Sequence, residues 1–160
     1  MASTEVLIRR PQSHEHHAVR ALVTAVANET FAILFAPNPV PLKLEEDWPL
    51  AWVAVCDSKI VGVLLTNQEW LSDLWVLREN RRHGIGRKLL AQGESEIAAR
   101  RHKMCRLRVV KSNTVAVEFY FHQGWCIARE FPDETTMRCL KWSNRAKQIL
   151  RLDFTALPGP

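Results

Sequence analysis

Six consecutive residues, Arg81-Arg82-His83-Gly84-Ile85-Gly86, have the types and spacing to hold a phosphate. They follow an apolar strand-like run and open the longest helix-like pattern in the chain. A glycine-containing turn between a strand and a helix aims several backbone N–H groups at one point, and the helix dipole makes that point attractive to anions. Gly84 and Gly86 lack a Cβ, so a ligand can lie against the main chain there. Arg81, Arg82, Arg87 and Lys88 add the side chains that phosphates accept charge-assisted hydrogen bonds from. Taken alone, the hexapeptide is also compatible with a basic turn that binds nothing.

Two common phosphate loops do not fit. No Gly-Lys-Ser/Thr ends this one, as a Walker A loop requires, and Leu89 stands where the dinucleotide-binding pattern needs a third glycine.

The remaining reactive residue types form no comparable grouping. His14, His16 and His17 are close in sequence, but two on successive residues point in different directions and no Cys or carboxylate pattern completes a metal site, so no metal is expected. Cys56, Cys105, Cys126 and Cys139 contain no C-x-x-C pair, lie in apolar strand-like runs, and read as reduced core residues. The net charge of +5 raises nucleic acid as a partner. Its basic residues concentrate in 78–88 and 100–111, without a helix-turn-helix, zinc-finger or RNP pattern, so nucleic acid is not expected.

The elements that must position the loop follow from periodicity. At 160 residues, 47% apolar and 24% charged, the chain suits one domain with one buried core. A first strand is expected over 5–10, stopped by Pro11. A helix capped by Ser13 follows, burying Val19, Leu22, Val23 and Val26. Residues 30–48 read as irregular, because Pro37, Pro39 and Pro41 block long regular structure, with Phe31, Ile33, Leu34 and Phe35 either lining a substrate site or closing the core. Runs 50–56 and 60–66 flank Asp57-Ser58-Lys59 as a hairpin, and 70–77 is the strand that delivers the chain to the loop.

Residues 84–101 form a helix with Ile85, Leu89, Gly93 and Ile97 on one face. A strand over 104–110, a short helix over 114–123 capped by Asn113 and ended by Gly124, and strands 125–131 and 136–142 joined by Pro132-Asp133-Glu134 complete the order. The fold class is α/β, an α+β arrangement with a mixed sheet and helices on both faces. No apolar run approaches a bilayer's thickness, and Met1-Ala2-Ser3-Thr4-Glu5 lacks a basic region followed by an apolar one, so a cytoplasmic protein with no membrane partner is expected.

The pattern R-x-x-G-x-G after a strand resembles the acetyl-CoA pyrophosphate loop of the GNAT superfamily of acyl-CoA N-acyltransferases. Leu74-Trp75-Val76 matches the family's apolar-x-Val step five residues before the loop. Asn113, Ala116, Phe119, Tyr120, Gly124 and Trp125 match its second motif, N-x-x-A-x-x-F/L-Y-x-x-x-G-F/W. The match covers residues 50–142 well. The resemblance implies a GNAT domain over 1–142, with 143–160 as a partly loose C-terminal extension.

What the resemblance implies chemically is transfer of an acetyl group from acetyl-CoA, the donor cosubstrate, to a primary amine by direct attack. The acceptor would be a small cationic amine, and a homodimer is compatible with the family. The cosubstrate would be held by loop residues Arg81, Arg82, His83, Gly84, Ile85, Gly86 and Arg87, by main-chain groups of Leu74 and Val76, and by Asn113 and Tyr120. Val76 N–H is the candidate oxyanion donor. Asn113 reads equally as a helix cap.

Tyr120, the one tyrosine, stands where the family places its general acid; it also reads as a core aromatic. A phenol of pKa about 10 can protonate a departing thiolate whose conjugate acid lies near about 8.5. The general base is less defined. Diamine-acetylating relatives carry Glu where Ser72 stands, and relatives acting on protein N-termini carry Glu where Arg108 stands; both glutamates are missing here. Asp73 and Glu69 are the nearest acids, sharing one face if the strand is regular, and ordered water is a third route. The missing base keeps open a regulatory acyl-CoA-binding module without turnover, and a lysine or N-terminal protein acetyltransferase.

Overall fold

The computed structural model describes residues 5–37, 48–132 and 134–139. Residues 1–4, 38–47, 133 and 140–160 lie outside these, and with them Pro39, Pro41, Trp142 and the expected extension 143–160. The chain divides into two compact units: residues 1–66 with 73–95, and 67–72 with 96–160.

The first unit holds strands β1 (Leu7–Arg9) and β2 (Trp52–Cys56), helix α1 (His16–Phe35), and most of β3 (Lys59–Asn67), β4 (Trp70–Val76) and helix α2 (Ile85–Ala99). β1 pairs antiparallel with β2, and β2 with β3. The β2–β3 turn is two residues, Asp57 and Ser58, with φ of 47° and 63°. Positive φ at both positions matches the right-handed twist of the strands, which is why a short Asp-Ser sequence closes this hairpin.

β1 is shorter than the expected 5–10. Ser13 is not the cap of α1: residues Ser13–Glu15 form a 3-10 turn ahead of it. The Glu15 carboxylate accepts the Gln12 backbone N–H at 2.7 Å and both terminal nitrogens of Arg9 at 2.8 Å. The hydrogen bonds from Arg9, then that from Gln12, hold the Glu15 carboxyl at about 2, well below the ordinary range. A sequence search for small polar caps misses this arrangement because the acceptor comes from inside the turn.

Helix α1 also continues through residues 31–35, read above as irregular. Its end at Ala36, extended at ψ 139°, immediately precedes Pro37, as the steric restriction on residues before proline requires. Pro37 thus ends the helix; it does not prevent it from running past Thr30. The side chains of Ile33, Leu34 and Phe35 are outside the described part.

Val19, Leu22, Val23 and Val26 of α1 pack on Val53, Val55, Val63 and Leu65, with Trp48 and Ala51 buried beside them. Gly62 lies on the opposite face from Val63. An added Cβ there would sit 2.9 Å from Leu89 Cδ1, 3.3 Å from the Trp75 carbonyl oxygen and 3.4 Å from Ile85 Cγ2. Helices therefore cover both faces of this unit's sheet, and Gly62 lets α2 close on β3. Ile85, Leu89, Gly93 and Ile97 are all buried, as their spacing predicts.

The second unit contains the start of β4, the end of α2, β5 (Arg106–Val110), α3 (Thr114–His122), β6 (Trp125–Glu130) and β7 (Glu134–Cys139). Trp70 and Leu71 pair parallel with Arg106 and Leu107, while β5–β7 and β7–β6 pair antiparallel, so the sheet is mixed. β7 begins at Glu134, two residues before the expected 136. Cys56, Cys105 and Cys126 are buried.

Replacing Gly62 by Val places methyl groups where Leu89, 0% exposed, already sits. We expect Gly62→Val to cost about 1–3 kcal/mol, the usual range for overpacking, seen as a lower urea midpoint; an unchanged midpoint would contradict the packing described.

Candidate active site

β4 and its exit turn set the geometry of the loop. Leu77 N–H donates to the Val61 carbonyl at 2.9 Å, so Leu77, and by the two-residue repeat Trp75, direct their main-chain groups toward β3. Leu74 and Val76 direct theirs to the other edge. The pairing of β4 with β5 comprises only Trp70 and Leu71, so the ladder on that edge stops before Leu74.

The Val76 carbonyl is met by Arg81 Nε at 3.0 Å. This bond folds the first loop arginine back onto the strand, and the residue remains exposed. The sequence reading placed Arg81 only among the phosphate-contacting residues and did not foresee this bond to its own strand.

A short 3-10 turn, Arg78–Asn80, leads into the loop. Arg81 is extended, Arg82 has φ 63° and Gly84 has φ 78°. Left-handed residues alternating with others make a concave run of N–H groups, a shape suited to anions. His83 Nδ1 lies 3.3 Å from the Asn80 carbonyl oxygen, bracing the turn. Lys88 N–H donates to the Gly84 carbonyl at 3.1 Å, so the N–H groups of Ile85, Gly86 and Arg87 precede the helical ladder.

Ile85, 2% exposed, anchors the helix start in the core. Arg81, Arg82, His83, Arg87 and Lys88 remain exposed around it. The first unit thus brings together every loop residue singled out from sequence, the open edge at Leu74 and Val76, and Asp73.

Asp73 Oδ1 accepts the indole N–H of Trp75 at 2.9 Å. Residues two apart on a strand share a face, so this pair was legible in principle from the Asp-x-Trp spacing, yet sequence reasoning did not draw it. Trp75 packs against the α1-side core, and Phe31 of α1 meets its ring edge-on, centroids 6.0 Å apart at 87°. A carboxylate and two aromatic rings therefore form one cluster. Phe31, placed before in an irregular segment, is oriented by α1.

The second unit holds Glu69, Asn113 and Tyr120. Glu69 is in the turn before β4, beside Gln68 at φ 53°, and not in the strand, so it does not share a strand face with Asp73. Its carbonyl accepts the Arg106 N–H at 2.9 Å, and its carboxylate lies 3.8 Å from Arg106 Nε. Asn113 Oδ1 accepts the Ala116 N–H at 3.3 Å and so caps α3, one of its two sequence readings. Tyr120 is 7% exposed, its ring 5.2 Å from that of Phe119 and 5.8 Å from that of Trp125.

Among the described residues no three His, Cys, Asp or Glu side chains are grouped to hold a metal ion, and no helix is long and apolar enough to cross a membrane.

Comparison with known proteins bears on this geometry. A family model described as an acetyltransferase (GNAT) domain matches residues 47–127. No curated protein matches the sequence. Among solved structures, the PaiA N-acetyltransferase of Thermoplasma acidophilum, in complex with coenzyme A, is 18% identical. The likeness covers 84% of this chain and 98% of that one, with a TM-score of 0.68. The diaminobutyrate acetyltransferase EctA of Paenibacillus lautus, in complex with L-2,4-diaminobutyric acid and coenzyme A, is 16% identical over 88% and 98% of the two chains (TM-score 0.69). The ribosomal-protein-alanine N-acetyltransferase of Brucella melitensis is 20% identical over 82% and 98% (TM-score 0.64).

The loop's conformation generates its own test. Gly84→Ala forces an L side chain into the left-handed region, which costs roughly 1–2 kcal/mol. The added Cβ meets only Arg87 Nη2, at an ordinary 3.6 Å, so the loss comes from the backbone. A thermal midpoint equal to that of the parent would show that φ at 84 is not held as described.

Proposed function

We propose, from the premise that this chain belongs to the GNAT family of acetyl-CoA-dependent acetyltransferases, that it transfers the acetyl group to the primary amine of a small cationic molecule. The observation that carries this reading is the first unit's loop: N–H groups of Ile85, Gly86 and Arg87 ahead of the helical ladder, left-handed Arg82 and Gly84, and a surrounding set of exposed cations. That arrangement fits the pyrophosphate of coenzyme A through main-chain donors, the helix dipole and guanidinium groups.

In this reading the open edge of β4 receives the pantetheine arm. Leu74 offers N–H and C=O there, while Val76 offers N–H alone because Arg81 occupies its carbonyl. Val76 N–H is then placed to stabilise the thioester oxyanion. The amine nitrogen forms a bond to the thioester carbonyl carbon, the carbon–sulfur bond breaks, and two protons move.

Asp73 is assigned to the amine's proton. Its carboxylate is oriented by Trp75, and the rings of Trp75 and Phe31 add the faces that attract an ammonium group. Glu69, engaged with Arg106, is the weaker of the two acids for this role. Tyr120, buried and in contact with the rings of Phe119 and Trp125, is assigned to the thiolate's proton. Asn113 positions α3, and through it Tyr120.

The test is release of free CoA thiol from acetyl-CoA across a panel of amines, polyamines, amino acids, aminoglycosides and lysine peptides. A small amine should exceed the acetyl-CoA-only rate. With it, Asp73→Asn and Tyr120→Phe should each lower kcat by about 10²-fold or more, the lower end of general acid–base effects, with acetyl-CoA affinity unchanged. Full activity in both variants would overturn the assignments. Transfer to peptides alone would overturn the acceptor class.

A further inference from the structure

The hydrogen bond from Arg81 Nε to the Val76 carbonyl, at 3.0 Å, is more than a phosphate-binding arginine requires. It closes a ring between residues five apart. Within that ring Asn80 N–H donates to the Leu77 carbonyl at 2.9 Å and Arg81 N–H to the Arg78 carbonyl at 3.2 Å, so the 3-10 turn returns the arginine to the strand it has just left. All of these residues lie in the first unit.

The peptide group between Val76 and Leu77 is held at both ends. Its carbonyl accepts from Arg81, and its N–H donates to the Val61 carbonyl of β3 at 2.9 Å. Rotation of that peptide breaks both bonds, so the end of β4 keeps one orientation. Arg82, the residue after the clamp, is left-handed and begins the concave run of loop amides. Loop and strand edge therefore share one anchor.

The clamp also changes what the edge offers. Leu74 presents N–H and C=O there, whereas Val76 presents its N–H beside a carbonyl already engaged by a guanidinium group. A ligand with amide groups pairs with such an edge as an added strand does, and a short strand on repeating donors and acceptors is free to slip unless something fixes its register. A slip of two residues moves it by about 6.7 Å. That takes a thioester carbonyl out of reach of the Val76 N–H. With the Val76 carbonyl engaged, an N–H of the arm finds its acceptor at Leu74, and one register is left.

We propose that Arg81 is a positioning residue that sets the register of the pantetheine arm on β4, and with it the placement of the thioester carbonyl at Val76 N–H. The inference rests on the reading of this edge as the site of the acetyl-CoA arm. Arg81 then acts on the arm through the strand, and its charge beside the phosphates is a separate contribution.

Two substitutions separate the two contributions. Gln places an amide nitrogen where Arg has Nε, a donor without charge, while Lys keeps the charge and places a methylene there. Arg81 is exposed, so neither change disturbs the core. Parent and variants, as the full chain, are titrated calorimetrically with coenzyme A and with 3′-phosphoadenosine 5′-diphosphate, which is coenzyme A without its pantetheine arm. The ratio of the two affinities measures what the arm contributes. Arg81→Lys should bind the nucleotide as the parent does and lower the ratio by about tenfold, the scale of one hydrogen bond. Arg81→Gln should weaken both ligands together and keep the ratio. The second readout is the Val76 amide signal in NMR spectra. Exchanging coenzyme A for acetyl-CoA should move it in the parent and in Arg81→Gln, and leave it in place in Arg81→Lys.

The proposal is overturned if Arg81→Lys keeps the parent's ratio, as an arginine acting by charge alone or as a purely structural cap requires. It is overturned as well if the ratio falls equally in both variants, or falls in Arg81→Lys while the Val76 signal still moves, since register is then set elsewhere. A parent that gains no affinity from the arm removes the edge reading and this proposal with it; a parent that gains it, with Arg81→Lys unchanged, removes the proposal alone.

Discussion

The close approach of α2 to β3 at Gly62 is the constraint on which the first unit depends. Leu89 and Ile85 occupy the space a side chain at 62 would take, and the Trp75 carbonyl lies against the same spot. This contact fixes where the helix begins relative to the strand that precedes it. The loop between them has little choice: β4 ends at Val76, the helix begins at Ile85, and the intervening residues turn with left-handed Arg82 and Gly84. Burial of apolar side chains therefore sets the direction of polar N–H groups, whose own hydrogen bonds could not have placed them.

Positive charge does several different jobs along this chain. Arg9 closes on Glu15 at 2.8 Å and orders the approach to α1. Arg81 reaches back to its own strand, whereas Arg82, Arg87 and Lys88 stay in solvent beside the loop amides. Arg100 ties the end of α2 to Glu96 and to the Gln68 carbonyl, at 2.7 and 2.9 Å. Net charge, which first raised nucleic acid as a partner, is thus divided among local tasks, and its sum carries less information than its positions.

The loop, the buried face of α2, the hairpin around Asp57-Ser58-Lys59 and the Asn113 cap were legible in the sequence because each is a local pattern: glycines at a junction, a 3.6-residue repeat, a short polar turn, a capping oxygen. The turn itself is one residue shorter than read, since Lys59 already belongs to β3. The mixed sheet was legible from element order. What escaped depends on non-local packing or on how elements end. Helix α1 runs to Phe35 because Pro37 restricts only the residue before it, and a proline-rich segment looked irregular from further upstream. Glu69, weighed as sharing a strand face with Asp73, sits in the turn before β4 beside left-handed Gln68. Gly62 reads as an ordinary strand residue until α2 is placed on it, and the partnership of Trp70 with Arg108 needs the parallel register of β4 and β5.

The central claim is that main-chain amides of the loop hold the phosphates of acetyl-CoA. Backbone amide NMR spectra during titration with coenzyme A, and separately with phosphate-free pantetheine, test it directly. The account predicts that the amide signals of Gly84, Ile85, Gly86 and Arg87 move strongly with coenzyme A and stay in place with pantetheine. Coenzyme A that binds without disturbing those four amides would contradict it.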